Sequence, residues 1–242
     1  AELASVSPTA NSDSRPICYV LTQILWLSRF IPGLAVADTG KTGPWLRWGM
    51  LVVAAAWLGV LLAARRREGW SRVCWAAVAG GCGMILEGAL ILGYQARQGA
   101  LFRDLGILLT LFMAGLAAGV ALLAKSGSGR RRPNQTGLTL SLGLAGISGL
   151  VALVLSPAGP ESAVPYGVLL LATGLLTGGI FAYAARPEGA DQAALVRPLY
   201  AADLLGGCLG SLAASLVLLP LLGLPGTALL AAGLAISLLV LR

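Results

Sequence analysis

Apolar residues run along this chain in long blocks separated by short polar segments. The pattern is neither the period-two alternation of a half-buried strand nor the one-sided stripe of a surface helix. A helix needs about 20 mainly apolar residues to cross a hydrocarbon core of about 30 Å. Seven blocks meet that requirement and are predicted spans: 45–64, 71–94, 105–124, 137–156, 165–185, 199–219 and 225–241. An eighth, 17–36, is apolar but carries Ser28 and Arg29 near its middle and Pro32 after them. It either spans or lies in the interface with Arg29 reaching the headgroups. The first sixteen residues, AELASVSPTANSDSRP, are polar and have no apolar core of the signal-peptide kind. They read as the end of a preceding soluble segment or as a mature N-terminus left by processing. The predicted fold is therefore all-α: a polytopic transmembrane helix bundle at 17–242, with seven spans plus one further spanning or interfacial N-terminal helix, after a polar tail at 1–16.

Composition narrows the function classes. Of 242 residues, 57% are hydrophobic and 11% charged, and histidine is absent. Soluble domains carry about 45–50% apolar and about 25% charged residues, so this chain has too few charges to cover itself in water. A soluble enzyme is excluded. Without histidine there is no imidazole base, no bis-histidine haem and no histidine metal ligand. Cys18, Cys74, Cys82 and Cys208 lie in or beside apolar blocks with no CxxC pair, which suits packing rather than a metal or disulfide. No cofactor and no metal are expected.

The net charge of +7 does not indicate nucleic acid, because the basic residues are scattered between apolar runs. They sort by topology instead. If all eight blocks span, one side holds Arg15, Arg65, Arg66, Arg67, Arg72, Lys125, Arg130, Arg131, Arg132, Arg186, Arg197 and Arg242. The other holds Lys41, Arg47, Arg97 and Arg103. The positive-inside rule then places the arginine runs 65–67 and 130–132 and both termini in the cytoplasm, the N-terminal tail moving outside if 17–36 only lies on the surface. These runs are expected to anchor topology, with anionic lipid headgroups as a second use.

Glycines concentrate within the spans. Gly115 and Gly119, Gly174 and Gly178, and Gly206 and Gly210 each stand four apart. Such spacing puts a flat strip on one helix face and lets two backbones approach closely. Two acids also fall within apolar runs. Glu87 is near the middle of its span and Asp203 about one turn inside the start of its own. A central acid costs roughly 2.5–3.5 kcal/mol on insertion scales, so each should face protein or water. Either a cation or proton site or a structural carboxyl follows. Tyr94 and Gln95, seven and eight residues after Glu87, return to nearly the same helix face and are candidate partners. Arg97 and Arg103 are further candidates on the outer side, and Arg186 or Arg197 could pair with Asp203.

Three ordered motifs resemble the membrane region of membrane-fused spermidine synthase-like proteins. The first is NSDSRPICYVLTQILWLSRF at 11–30, with Asp13, Arg15, Pro16, Tyr19 and Trp26. The second is LEGALILGYQARQGALFRDLGILLTLFMAGLAAG at 86–119, with Glu87, Gln95, Gly99, Phe112, Met113, Gly115, Leu116 and Gly119. The third is YAADLLGGCLGSL at 200–212 with LLPLLGL at 218–224, matching at Tyr200, Asp203, Leu204, Leu205, Gly206, Gly210, Pro220 and Gly223. The resemblance implies a region that accompanies a cytoplasmic aminopropyltransferase-like domain and is itself similar to half of a major-facilitator transporter. Synthase activity does not carry over, because these residues contain no nucleotide-binding fold and no acidic polyamine pocket.

Three function classes are thereby ordered. The leading expectation is an integral membrane anchor or accessory subunit that docks partner proteins in a larger assembly. Its partners would be membrane lipids and either other chains of a membrane complex or a cytoplasmic synthase-like domain. The alternative is a transporter-like or channelling module for polyamines or another cation, using Glu87. An enzyme in its own right ranks last, having no catalytic constellation. The expected location is a bacterial cytoplasmic membrane.

Overall fold

The computed structural model describes residues 56–66, 69–99, 102–125, 133–160, 162–186 and 192–241. These residues are almost wholly helical. A short helix α1 at Ala56–Arg65 is followed by α2 (Trp70–Gln98), α3 (Phe102–Lys125), α4 (Pro133–Val154), α5 (Ala163–Ala184) and α6 (Gln192–Ala213). A π-helical turn at Ala214–Leu218 leads into α7 (Leu219–Ser237), which tightens to a 3₁₀ turn at Leu238–Leu241.

Local chemistry explains the helix limits. Gly69 (φ 91°) and Gly99 (φ 82°) bracket α2 in conformations that L side chains rarely adopt. The Gly99 N–H closes the helix on the Gln95 carbonyl. Pro133 opens α4, where a missing N–H costs nothing. The Ser162 hydroxyl accepts from the Val164 N–H at 3.3 Å and caps α5. The π turn immediately precedes Pro220, whose ring cannot accept a regular helical turn behind it.

Five stretches among the described residues are long and apolar enough to cross a bilayer: Trp70–Gln98, Phe102–Lys125, Gln135–Val154, Ala163–Ala184 and Val196–Leu241. This count differs from the seven-plus-one expected from hydropathy, for two reasons. The runs 199–219 and 225–241 fall within one 46-residue stretch, Val196–Leu241, but α6 runs parallel to α2 and α7 antiparallel to it, so they are two helices joined with almost no loop. A single residue, Gly223 (φ 68°, ψ −179°), interrupts it. Of the expected span 45–64 the described part is α1, a short apolar helix at Ala56–Arg65. The remainder of that block, the whole of 17–36 and the tail 1–16 lie outside the described residues.

Two central helices, α2 and α5, hold the bundle together. They run antiparallel: Trp75 meets the Tyr183 ring edge-on at 5.3 Å, and Tyr94 meets Tyr166 in the same way at 5.6 Å. Aromatic pairs of this kind fasten both ends of the contact. Each central helix carries an outer partner. Helix α3 packs almost wholly on α5, and α6 on α2. On another side α4 and α7 pack together, with the Ser141 hydroxyl donating to the Ala235 carbonyl at 2.5 Å. Helix α7 returns antiparallel along α2, since Cys82 Sγ donates to the Ala231 carbonyl and Ser71 Oγ to the Leu241 carbonyl. Leu61, Leu86, Leu90, Leu170, Ile180 and Tyr166 are fully buried where these helices meet.

The two outer contacts are built from glycine. A β-carbon on Gly115 would strike the Leu171 carbonyl, and one on Gly119 the Leu175 carbonyl. Reciprocally, Gly174 lies against the Phe112 carbonyl and Gly178 against the Leu116 carbonyl. The residue numbers advance together, so α3 and α5 run parallel with backbones in contact. On the other side Gly206 lies on Ala77 and Gly210 on Gly81. Bulk apolarity does not draw helices together in lipid, so these close approaches carry much of the cohesion.

Candidate functional site

The candidate site grows from one strip of α2. Gly80 and Gly83, three residues apart, present bare backbone on the same face. Asp203 of α6 stands on Gly80: a β-carbon there would lie 2.8 Å from Asp203 Oδ1 and against its carbonyl. Thr177 of α5 stands on Gly83, where an added β-carbon would meet its Cγ2 at 3.0 Å and its Oγ1 at 3.3 Å. Between them lies a cavity of about 300 Å³, walled by Met84, Phe112, Leu116, Leu204 and Ser211. Its floor is buried, whereas Leu204 and Cys208 at the rim are exposed. It is a groove that opens sideways between α3 and α6.

Polar groups in this region are incompletely satisfied. Thr173 and Thr177 are buried, and neither hydroxyl finds a hydrogen-bond partner. A threonine within a helix usually returns its hydroxyl to a carbonyl of the preceding turn, as Thr110 does to Gly106. Asp203 is half-buried, and among the described residues it forms no ion pair. Arg197 is exposed, and the Arg186 guanidinium lies 5.8 Å over the Tyr183 ring. Neither meets Asp203.

Asp203 also lies deeper than hydropathy implied. Helix α6 begins at Gln192, ahead of the apolar run at 199, so Asp203 sits about three turns inside it. The midpoint of α2 is Met84; Gly80 beneath Asp203 is four residues to one side and Glu87 three to the other. The two acids therefore flank the middle of the central helix.

Glu87 is 4% exposed and does not line the groove. The antiparallel pairing of Tyr94 with Tyr166 and Gly83 with Thr177 puts it level with Thr173. Its expected partners are engaged elsewhere. The Tyr94 hydroxyl donates to Asp104 Oδ2 at 2.6 Å, which ties the end of α2 to the first turn of α3. Arg97 donates to the carbonyls of Val154, Ser156 and Pro160, at 3.1, 2.5 and 3.2 Å. It caps the C-terminal end of α4, where carbonyls lack helical partners and positive charge is favoured. At the opposite end of α2, Arg72 donates to the Arg186 carbonyl just beyond α5 at 2.6 Å. Gln95 is half-buried, and Arg65 and Arg66 are exposed. Arg67, Arg130, Arg131 and Arg132 lie outside the described residues.

Thr173, Thr177, Ser211 and Met84 escaped the reading of the sequence. One signal was available: Thr173 and Thr177 stand four apart, polar on one face of an otherwise apolar helix. Comparison with known protein families, characterised proteins and solved structures finds no match.

Proposed function

We propose that this chain is the membrane-embedded anchoring and docking part of a larger assembly. The observation that carries this reading is the asymmetry of α6. Its glycine edge grips α2, while Tyr200, Leu204, Leu205, Leu209 and Leu212 stand exposed beside a carboxylate at the groove. A carboxylate at that depth is unfavourable against lipid and gains from a covering polar surface. The resemblance to spermidine synthase-like membrane regions supplies a class of partner, a soluble domain on the cytoplasmic face. The arginine-rich loops and the C-terminus are cytoplasmic in this reading. The 46-residue run then counts as two spans about Gly223, and blocks 17–36 and 45–64 complete the seven-plus-one arrangement.

Purification from native membranes in mild detergent tests it. The expected result is a second chain in fixed stoichiometry that dissociates on Leu209→Trp. A monodisperse monomer with no companion overturns it.

A second reading, a transporter-like or channelling module for a polyamine or another cation, draws support from Glu87 lying level with the unpartnered Thr173 hydroxyl. Loss of cation uptake into proteoliposomes on Glu87→Gln would favour it. Unchanged uptake would remove it.

A further inference from the structure

We infer that the groove between α3 and α6 is a binding site for a small ammonium ligand with an apolar stem, entering from the side of the bundle. This site is distinct from Glu87 and does not depend on the docking reading. Four observations lead to it. Two glycines, Gly80 and Gly83, let Asp203 and Thr177 rest directly on the α2 backbone, which brings both polar groups to the groove. Asp203 supplies one carboxylate, without an ion pair among the described residues. Thr177 supplies a hydroxyl that is 4% exposed and has no hydrogen-bond partner. A polar atom buried in that condition costs free energy unless something completes it.

The composition of the walls selects the class of ligand. One carboxylate from α6 and one hydroxyl from α5, resting on glycines three residues apart in α2, match the donors of a single –NH₃⁺ group. An anion has no cationic side chain to meet among the groove's residues. A divalent metal would need more oxygen ligands than Asp203, Thr177 and Ser211 provide. Met84, Phe112, Leu116 and Leu204 then offer apolar surface to an alkyl stem. The volume, about 300 Å³, suits a short-chain amine and excludes a folded peptide. Because Leu204 and Cys208 at the rim are exposed, the ligand has access without any helix moving.

The test is equilibrium binding of radiolabelled n-hexylamine to the full chain in detergent micelles, against empty micelles, with 1-hexanol as the neutral probe. Saturable binding of hexylamine is expected, weakened at least tenfold by Asp203→Asn and severalfold by Thr177→Val. Leu153→Ala, on the exposed face of α4, should leave it unchanged. Circular dichroism identifies any variant that fails to fold; Thr177→Val removes only a hydroxyl and keeps the test open if Asp203→Asn is lost. Hexanol binding as tightly as hexylamine overturns the proposal, and so does hexylamine binding that survives both substitutions. Absence of saturable binding to the folded wild-type chain overturns it as well.

Discussion

Asp203 occupies the space that a side chain on Gly80 would need. Its carbonyl oxygen lies where the added β-carbon would be, and its Oδ1 is 2.8 Å away. Acid and glycine are thus one unit: the carboxylate reaches the middle of the bundle only because α2 is bare beneath it. Gly80→Val should push α6 outward and cost about 1–3 kcal/mol, as overpacking does elsewhere. Thermal unfolding in detergent would register it as a lower midpoint.

The glycine contacts make a second, graded prediction. Gly119→Leu must separate α3 from α5, because its β-carbon collides with the Leu175 carbonyl and comes within 2.8 Å of the Gly179 nitrogen. Gly146, midway along α4, has nothing within 4 Å of an added β-carbon. Gly146→Ala should therefore be neutral or stabilise by about 0.5–1 kcal/mol, through the lower helix propensity of glycine. A pair of thermal melts distinguishes the two sites. Equal destabilisation would contradict the packing described.

Arg97 should tolerate no replacement easily. Removing it leaves the Val154 and Pro160 carbonyls without this donor and the Ser156 carbonyl with only the Gly159 N–H, at a cost of about 2 kcal/mol. Arg97→Lys should recover only part, since an ammonium lacks the planar fork that reaches several carbonyls at once. Proteolysis after Val154, between residues 155 and 160, gives a local readout, with faster cleavage expected in Arg97→Met and Arg97→Lys and the effect larger for Met.

Thr173 offers the opposite sign. Its hydroxyl is buried without a partner, so Thr173→Val removes a polar atom that costs free energy to enclose and keeps the shape. Stability should be unchanged or rise by about 1 kcal/mol. A marked loss of stability would mean that the hydroxyl has a structural partner.

Much of the bundle was legible in the apolar runs. The blocks 71–94, 105–124, 137–156 and 165–185 correspond to α2 through α5. Their ends shifted because helices continue through polar residues that hydropathy assigns to loops. Helix α2 runs on past Tyr94 to Gln98 and stops only where Gly99 takes a positive φ. The close pair 199–219 and 225–241 illustrates a different limit. Pro220 and Pro225 suggest a long loop, yet the reversal from α6 to α7 is made about one non-helical residue, Gly223. Tertiary pairing was not legible at all. Small residues four apart identify a contact face without naming its partner, so nothing in GLAAG indicated α5 rather than α2. For the same reason the depth of Asp203 and the orphaned hydroxyls of Thr173 and Thr177 emerged only once α6 and α5 were placed on α2.

The pairing of each outer helix with a distant partner bears on how the chain is made. Helices α2 and α3 are neighbours in sequence but hardly touch; α3 rests on α5, and α2 on α5, α6 and α7. Among the described residues, α2, α3 and α4 therefore have little to fold against when they alone have been emitted. Assembly must wait for α5, whose two faces accept both earlier helices, and then for α6 and α7 to close the opposite side. Synthesis order and folding order are out of step, and the intermediates display unpaired glycine strips to the translocon and to other nascent chains. Such a protein depends on holding its early segments apart until the late ones arrive.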